Sequence, residues 1–392
     1  MDFFALAFFS SAGVLAGLSG AVPFLHANLV LQSVQGILPA FALAVFAVSI
    51  CFSRLCFEAF SSTFLLIPSE SSGATLLAGN RMARQGLGIE AVEIASRSFA
   101  LALAASALIL PIYLDFSGAA YSAIRPLALL LLALVVFSNI FSERSPGAVA
   151  RAFLVFALSG LVGFFALAET GNSALFPLLS GLFGFSSILA CGASRGLGRQ
   201  EACGSPPPLH AEVFAGVALG AFSCFLPAMS PAFLAAFAFH FFEGKNERGF
   251  IALNSGIVAS KALFDFAALV SFGKARSGAA VAAAPAVSGG QIGIAEIAAV
   301  ALFSFAVSLA LFRALLPRML SAADKLSENA GAFSALLFSG LFAAVFLLSG
   351  GSGLLVAGIA TAAGLLPFLF GVRRSHSMGA LIVPAMVFLL SA

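Results

Sequence analysis

Long apolar blocks recur from one end of this chain to the other, each about 18 to 22 residues and nearly free of charge. At 1.5 Å per residue such a block, folded as a helix, crosses the roughly 30 Å hydrocarbon core of a bilayer. The pattern predicts full spans over 37–57, 97–113, 125–142, 150–168, 174–191, 251–272, 294–312, 332–350, 353–370 and 378–391. Two further apolar segments, 3–33 and 211–240, are broken by proline and small residues. Each is expected to enter the membrane as a pair of half-helices around an unwound turn, near Pro23 to Asn28 in the first and Pro227 to Pro231 in the second. Irregular backbone at membrane depth survives only where it is buried in protein or lines a wet cavity. The apolar start of the chain lacks the basic n-region of a signal peptide, so it is expected to stay in the mature fold.

Composition agrees with the pattern. Hydrophobic residues make up 61% of the 392 and charged residues only 9%, against about 25% charged in a soluble domain. The expected class is therefore all-α, a polytopic integral membrane protein with about ten full spans plus two hairpins. Ala, Gly and Ser in the spans let helices approach closely, which is what drives association in lipid. With no Trp among its residues, the interfaces fall to Phe and to Tyr113 and Tyr121. The five cysteines form no C-x-x-C pair and read as small packing residues. The net charge of +3 is spread over short loops, so it gives no reason to expect a nucleic-acid partner.

Loop charge sets an orientation. Arg144 and Arg151, Arg195 and Arg199, Arg313, Arg318 and Lys325, and Arg373 and Arg374 mark four basic connections. The positive-inside rule puts all four on the cytoplasmic face, and the turns at 169–173 and 349–353, without Lys or Arg, outside. On this tracing the N-terminus is extracytoplasmic and the expected location is the plasma membrane.

The two halves also match. Gly13-Val14 with Gly17 and Pro23 corresponds to Gly216-Val217 with Gly220 and Pro227. Phe57-Glu58 corresponds to Phe264-Asp265, and Ser72-Gly73-Ala74 to Ser277-Gly278-Ala279, all at an offset of about 205 residues. This divides the chain into a first repeat, 1–200, and a second, 201–392. The first begins outside and the second inside, so the repeats are inverted, the layout of many secondary transporters that bind substrate near the midplane at the ends of half-helices.

The stretches GLSGAVPFLHAN at 17–28, LPAMSPAF at 226–233, NSGIVASKALFDFAALVSFGKARSGAAVA at 254–282 and GVRRSHSMGALIVP at 371–384 resemble the TctA family, the large membrane subunit of tripartite tricarboxylate transporters, in its archaeal-type branch. The resemblance implies secondary transport of a carboxylate driven by an ion gradient, alongside an extracytoplasmic binding protein and a small membrane subunit. Family members usually carry Gly after the motif proline. Here Pro23 is followed by Phe24 and Pro227 by Ala228, and their Cβ atoms narrow the approach of an anion to backbone N–H groups.

Candidate site residues follow from position. His26 and Asn28 at the first break, Ser230 at the second, and the flanking Pro23 and Pro227 are candidates for contact with substrate, or else for capping the neighbouring half-helices. Lys274 and Arg276 with Ser277 and Gly278, and Ser72 and Gly73 in the first half, suit an anionic group, or else anchor the chain at an interface. Glu58 and Asp265 occupy matching places within or beside spans, where an ionisable group is a functional hypothesis by default. Each is a candidate for holding a coupling sodium ion or carrying a proton. Asp265 has Lys261 one turn before it, so a structural ion pair is the alternative. Asn254 and Ser255 read as N-caps at the start of a span, and Arg373, Arg374 and His376 as the cytoplasmic edge.

No H-E-x-x-H, G-x-x-x-x-G-K-[ST] or G-x-S-x-G in context points to an enzyme, and no cofactor or metal site is expected beyond the coupling ion. The reading is a secondary active transporter of an anionic substrate, most simply a carboxylate, working by alternating access. The alternative is a translocase of a polyprenyl-phosphate lipid carrier. Expected partners are the lipid bilayer, a small anion, the two other subunits of the tripartite system and a second copy of the chain.

Overall fold

The computed structural model describes residues 3–21, 27–65, 75–191, 200–201, 207–239 and 246–391. Every regular element among them is helical. The first hairpin segment gives α1 (Phe3–Gly17), a short 3-10 turn (Leu18–Ala21) and α2 (Ala27–Val34). Then come α3 (Ala40–Ser53), α4 (Leu55–Leu65), α5 (Thr75–Arg84), α6 (Gly88–Ile124) and α7 (Ala128–Phe141). α8 (Pro146–Thr170) is followed by a shorter apolar helical stretch made of α9 (Leu175–Leu179), a π-helical turn (Ser180–Phe185) and α10 (Ser186–Cys191). The second hairpin segment is α11 (His210–Ser223) and α12 (Pro231–Ala238). The chain ends with α13 (Glu247–Phe272), α14 (Gly278–Ser288), α15 (Ile294–Glu328), α16 (Ala330–Phe370) and α17 (Gly379–Ser391).

Local chemistry sets the starts of several helices. Ser145 accepts from the Ala148 N–H ahead of Pro146, and Asn246 accepts from Gly249 N–H. Ser230 and Ser277 do the same for Phe233 and Ala280. An oxygen at the N-cap satisfies one of the helix's orphan donors, and proline at N1 loses no hydrogen bond. Asn254 and Ser255, expected as N-caps, lie instead in the buried interior of α13, which starts a full two turns earlier at Glu247.

Among the described residues seven stretches are long and apolar enough to cross a membrane, eight if α3 and α4, bent by 41° at Arg54, form one span. These stretches are fewer than the expected count of about ten spans because some helices continue through breaks that hydropathy treats as loops, so that one stretch can hold more than one crossing. Gly88–Phe141 runs 54 residues, about 81 Å of helix against about 30 Å of hydrocarbon, enough for more than one crossing. α16 is a second such case. Gly350 (φ 63, ψ −160) interrupts it, and Gly181 abuts Ala357 and Ala360 while Gly184 abuts Leu341. Leu341 and Ala357 would stand about 24 Å apart on a straight helix. The chain therefore folds back at Gly350, separating 330–349 from 351–370.

Side-chain contacts give relative directions. Ser49 Oγ meets Ser304 Oγ at 2.7 Å and Ser308 Oγ donates to the Ser53 carbonyl, so α3 and α15 run the same way. Arg248 pairs with Glu90, and Ser271 Oγ meets Ser117 Oγ at 2.7 Å, so α13 and α6 also run together. Phe52, beside the Ser53–Ser308 contact, lies against Phe266 late in α13, whereas Arg313, further along α15, reaches Glu93 early in α6, so α15 runs opposite to α6 and α13. It follows that α3 runs opposite to α13.

Matched glycine–serine contacts hold each hairpin's first helix to the helix behind it. Ser53 Oγ donates to Gly13 O at 3.2 Å and Ser260 Oγ to Gly216 O at 3.3 Å. Gly17 lies against Ser53 and Gly220 against Ser260, each so close that a Cβ would collide. The largest hydrophobic core draws on α3, α4 and α6 from one half and α13, α14 and α15 from the other. The second hairpin's α12 rests on a separate core with α7, α8 and α17.

Candidate functional site

The turns that follow α1 and α11 are each held by an ion pair of one design. In the first half Arg54 Nε donates to Glu58 Oε1 at 2.8 Å, and its Nη1 donates to Ser19 Oγ at 2.6 Å, in the turn that follows α1. In the second half Lys261 Nζ contacts both Asp265 oxygens, at 2.8 and 2.7 Å, and Cys224 Sγ, just past α11, donates to Asp265 Oδ1 at 3.2 Å. Cation and carboxylate are four residues apart in each, one helical turn, which is the spacing that lets side chains meet. Arg54 is the partner that sequence reasoning missed. Its signal was the same separation from Glu58 that Lys261 has from Asp265, at the repeat offset. Asp265 is 2% exposed, and an unpaired charge there would cost several kcal/mol.

Arg276 extends the second cluster. Its Nε donates to Cys224 O at 3.2 Å and its Nη2 lies 3.5 Å from Phe225 O. These carbonyls follow the last turn of α11, where a cation is favoured by the helix dipole. Two residues on, Gly278 opens α14 with Ser277 as its cap, and the space a Cβ would take at Gly278 is occupied by the Asn28 side-chain amide. The start of α2 thus meets the start of α14. Tyr113, expected at an interface, is instead 1% exposed and packs its ring on Phe225 and Phe264 beside this cluster. Its length of α6 is pressed against α13, which hydropathy alone does not reveal. Tyr121 stacks on Phe272, half-buried.

Contacts link these residues into a patch, Asn28 with Gly278, Arg276 with Cys224 O and Cys224 Sγ with Asp265, and Pro227 and Ser230 lie in the turn between α11 and α12 that begins at Cys224. Ser230, 4% exposed, accepts from Phe233 N–H as the cap of α12. Pro23, His26, Ser72 and Gly73 lie outside the described residues. Glu58 faces elsewhere, into a cavity of about 30 Å³ between α4, α5, α6 and α13, which Ser62, Thr63, Asn254 and Ser255 also line. Cys51 on α3 lies within electrostatic range of both ion pairs.

A third ionic cluster stands where the cytoplasmic edge is expected, with the side chains of Glu143 and His376 buried and Arg373 and Arg374 half-buried. His376 Nε2 sits 2.8 Å from Glu143 Oε1, Arg373 Nη2 donates to Ser142 O at 2.6 Å, and Arg374 stacks on Phe368. His376 is fully buried because its 3-10 turn packs on α8 and beneath α12. This cluster braces the platform that carries the second hairpin.

The family model for the tripartite tricarboxylate transporter TctA family matches residues 7–379. An uncharacterized protein, MJ1079, of Methanocaldococcus jannaschii is 27% identical over 282 residues, 68% of this chain and 70% of that one. No solved structure matches.

Proposed function

This chain belongs to the tripartite tricarboxylate transporter TctA family, and from that premise we propose that it is the membrane subunit that carries a small carboxylate through the bilayer, coupled to a cation gradient. Membership makes it an integral membrane transport protein, and no enzyme chemistry attaches to the family. The observation that carries the finer reading is the meeting of Asn28 with Gly278, beside Arg276 on the α11 carbonyls.

Two helix starts converge there, and N-terminal N–H groups with a guanidinium are what a carboxylate needs at membrane depth. Arg276 uses two of its nitrogens on carbonyls, and a guanidinium carries five N–H donors, so capacity remains for an anion. Gly278 admits the amide of Asn28 where any side chain would exclude it. The opposed directions of α3 and α13, and the matched Arg54–Glu58 and Lys261–Asp265 pairs, support two inverted repeats, 1–200 and 201–392, that rock about this patch to give alternating access. An extracytoplasmic binding protein and a small membrane subunit would deliver the substrate, in a plasma membrane with the chain's N-terminus outside. Carboxylate transport accounts for the family match, which a polyprenyl-phosphate translocase does not.

Uptake of labelled citrate and succinate into proteoliposomes carrying the purified chain, with and without partner subunits, tests the reading. Gly278→Ala and Arg276→Gln should each lower gradient-driven uptake at least about tenfold while the protein stays monodisperse. Undiminished uptake by both variants would remove the patch from the substrate path.

A further inference from the structure

The two matched carboxylates have different surroundings, and the difference separates their roles. Both Asp265 oxygens are engaged by the Lys261 ammonium and one by the Cys224 thiol. Glu58 also has a cation partner, yet its side chain is 14% exposed and lines the cavity between α4, α5, α6 and α13. The other polar residues on that wall are Ser62, Thr63, Asn254 and Ser255, all buried. Among the described residues lining it there is no Lys, Arg or His.

We propose that this cavity is a binding site for one small monovalent cation, sodium being the probe, held by Glu58, the hydroxyls of Ser62, Thr63 and Ser255, and the amide oxygen of Asn254, and that Asp265 is not part of any cation site. The inference rests on the transport reading only for its use as a coupling ion. The donor set is one carboxylate with neutral oxygens, the hard ligands that such a cation takes. Ser62 Oγ spends its proton on the Ala59 carbonyl at 3.0 Å, so it presents lone pairs to the cavity. A single water needs about 10–15 Å³ of such space, so about 30 Å³ admits one ion with a remaining water and no carboxylate. The lining comes from α4 and α5 of one half and α13 of the other, so movement between the halves opens or closes the site.

Charge then links the cavity to the patch at Asn28 and Gly278. The Arg54–Glu58 pair is neutral, so an added cation leaves a net positive charge in a low-dielectric interior. A bound carboxylate offsets it. Each ligand therefore raises the affinity of the other by the same factor.

The test is saturable binding of ²²Na⁺ to the full chain in nanodiscs, at constant ionic strength against choline, with a parallel citrate-induced thermal shift. Wild type should bind about one sodium ion per chain. Ser62→Ala with Thr63→Val, both mild changes that leave Glu58 and Arg54 paired, should weaken sodium at least about tenfold. Ser255→Ala should weaken it less. No saturable binding by wild type, or equal affinity in the double variant, overturns the site. A citrate shift without sodium binding also overturns it and leaves the transport reading standing. Sodium binding lost in the double variant, with no shift from any carboxylate, keeps the site and removes the transport reading instead.

Discussion

Ala228 has φ +58, the left-handed region that an L side chain with a Cβ rarely adopts. It stands after Pro227, where the resembling family usually carries Gly, so the backbone keeps a glycine-like conformation that the side chain opposes. Ala228→Gly should therefore stabilise the protein by about 1 kcal/mol, read as a higher Tm in detergent, and an unchanged or lower Tm would show that the turn is not strained. The ion pairs make a second residue-scale prediction. Lys261→Ala leaves Asp265 buried without its ammonium and should cost about 3–5 kcal/mol, whereas Lys261→Met with Asp265→Leu should recover most of it. Thermal unfolding of the three proteins decides this. A double variant no better than Lys261→Ala would mean the pair does more than satisfy its own charges.

Among elements, close approach is set by small residues, and the contacts specify which faces meet. Ser49 with Ser304 and Ser117 with Ser271 each bring two hydroxyls to 2.7 Å. Cysteine pairs at either couple should crosslink under mild oxidation, seen as a mobility shift after cleavage between the halves. Failure at Ser49→Cys with Ser304→Cys would remove the parallel packing of α3 on α15, and with it the argument that α3 and α13 run opposite. Gly220 makes the complementary case. A Cβ there would stand 2.8 Å from the Lys261 backbone nitrogen, so Gly220→Val should separate α11 from α13 and lower Tm by several degrees. Gly36, with nothing near it, should tolerate Ala with little change.

For the whole molecule, the more exposed ion pairs tie the starts of α6 and α13 to their neighbours on one side. Arg248 with Glu90 joins the starts of α13 and α6, Arg313 with Glu93 joins the second half of α15 to the start of α6, and Arg97 braces Glu93 within α6. Glu201 N–H reaches Gly86 O on the same side. Arg318→Cys and Glu201→Cys should react with an impermeant maleimide from one side of the membrane, and Ser288→Cys from the other. Equal reactivity of all three from a single side would break the tracing on which the repeats depend.

Class and family were legible in the chain by itself, because crossing hydrocarbon demands apolar runs of fixed length and the motif stretches lie contiguous in sequence. The break near Pro227 and the Lys261–Asp265 pair were legible for the same reason, since each is local in sequence. Only the tertiary structure decided that Tyr113 and His376 are buried, that α16 folds back at Gly350, and that Asn28 meets Gly278 across 250 residues of chain. It also parted Glu58 from Asp265, two carboxylates each preceded by Phe and by a cation four residues earlier. Hydropathy reports how much of a helix is apolar but not which face meets protein and which meets lipid, and a cavity belongs to the space between helices rather than to any one of them.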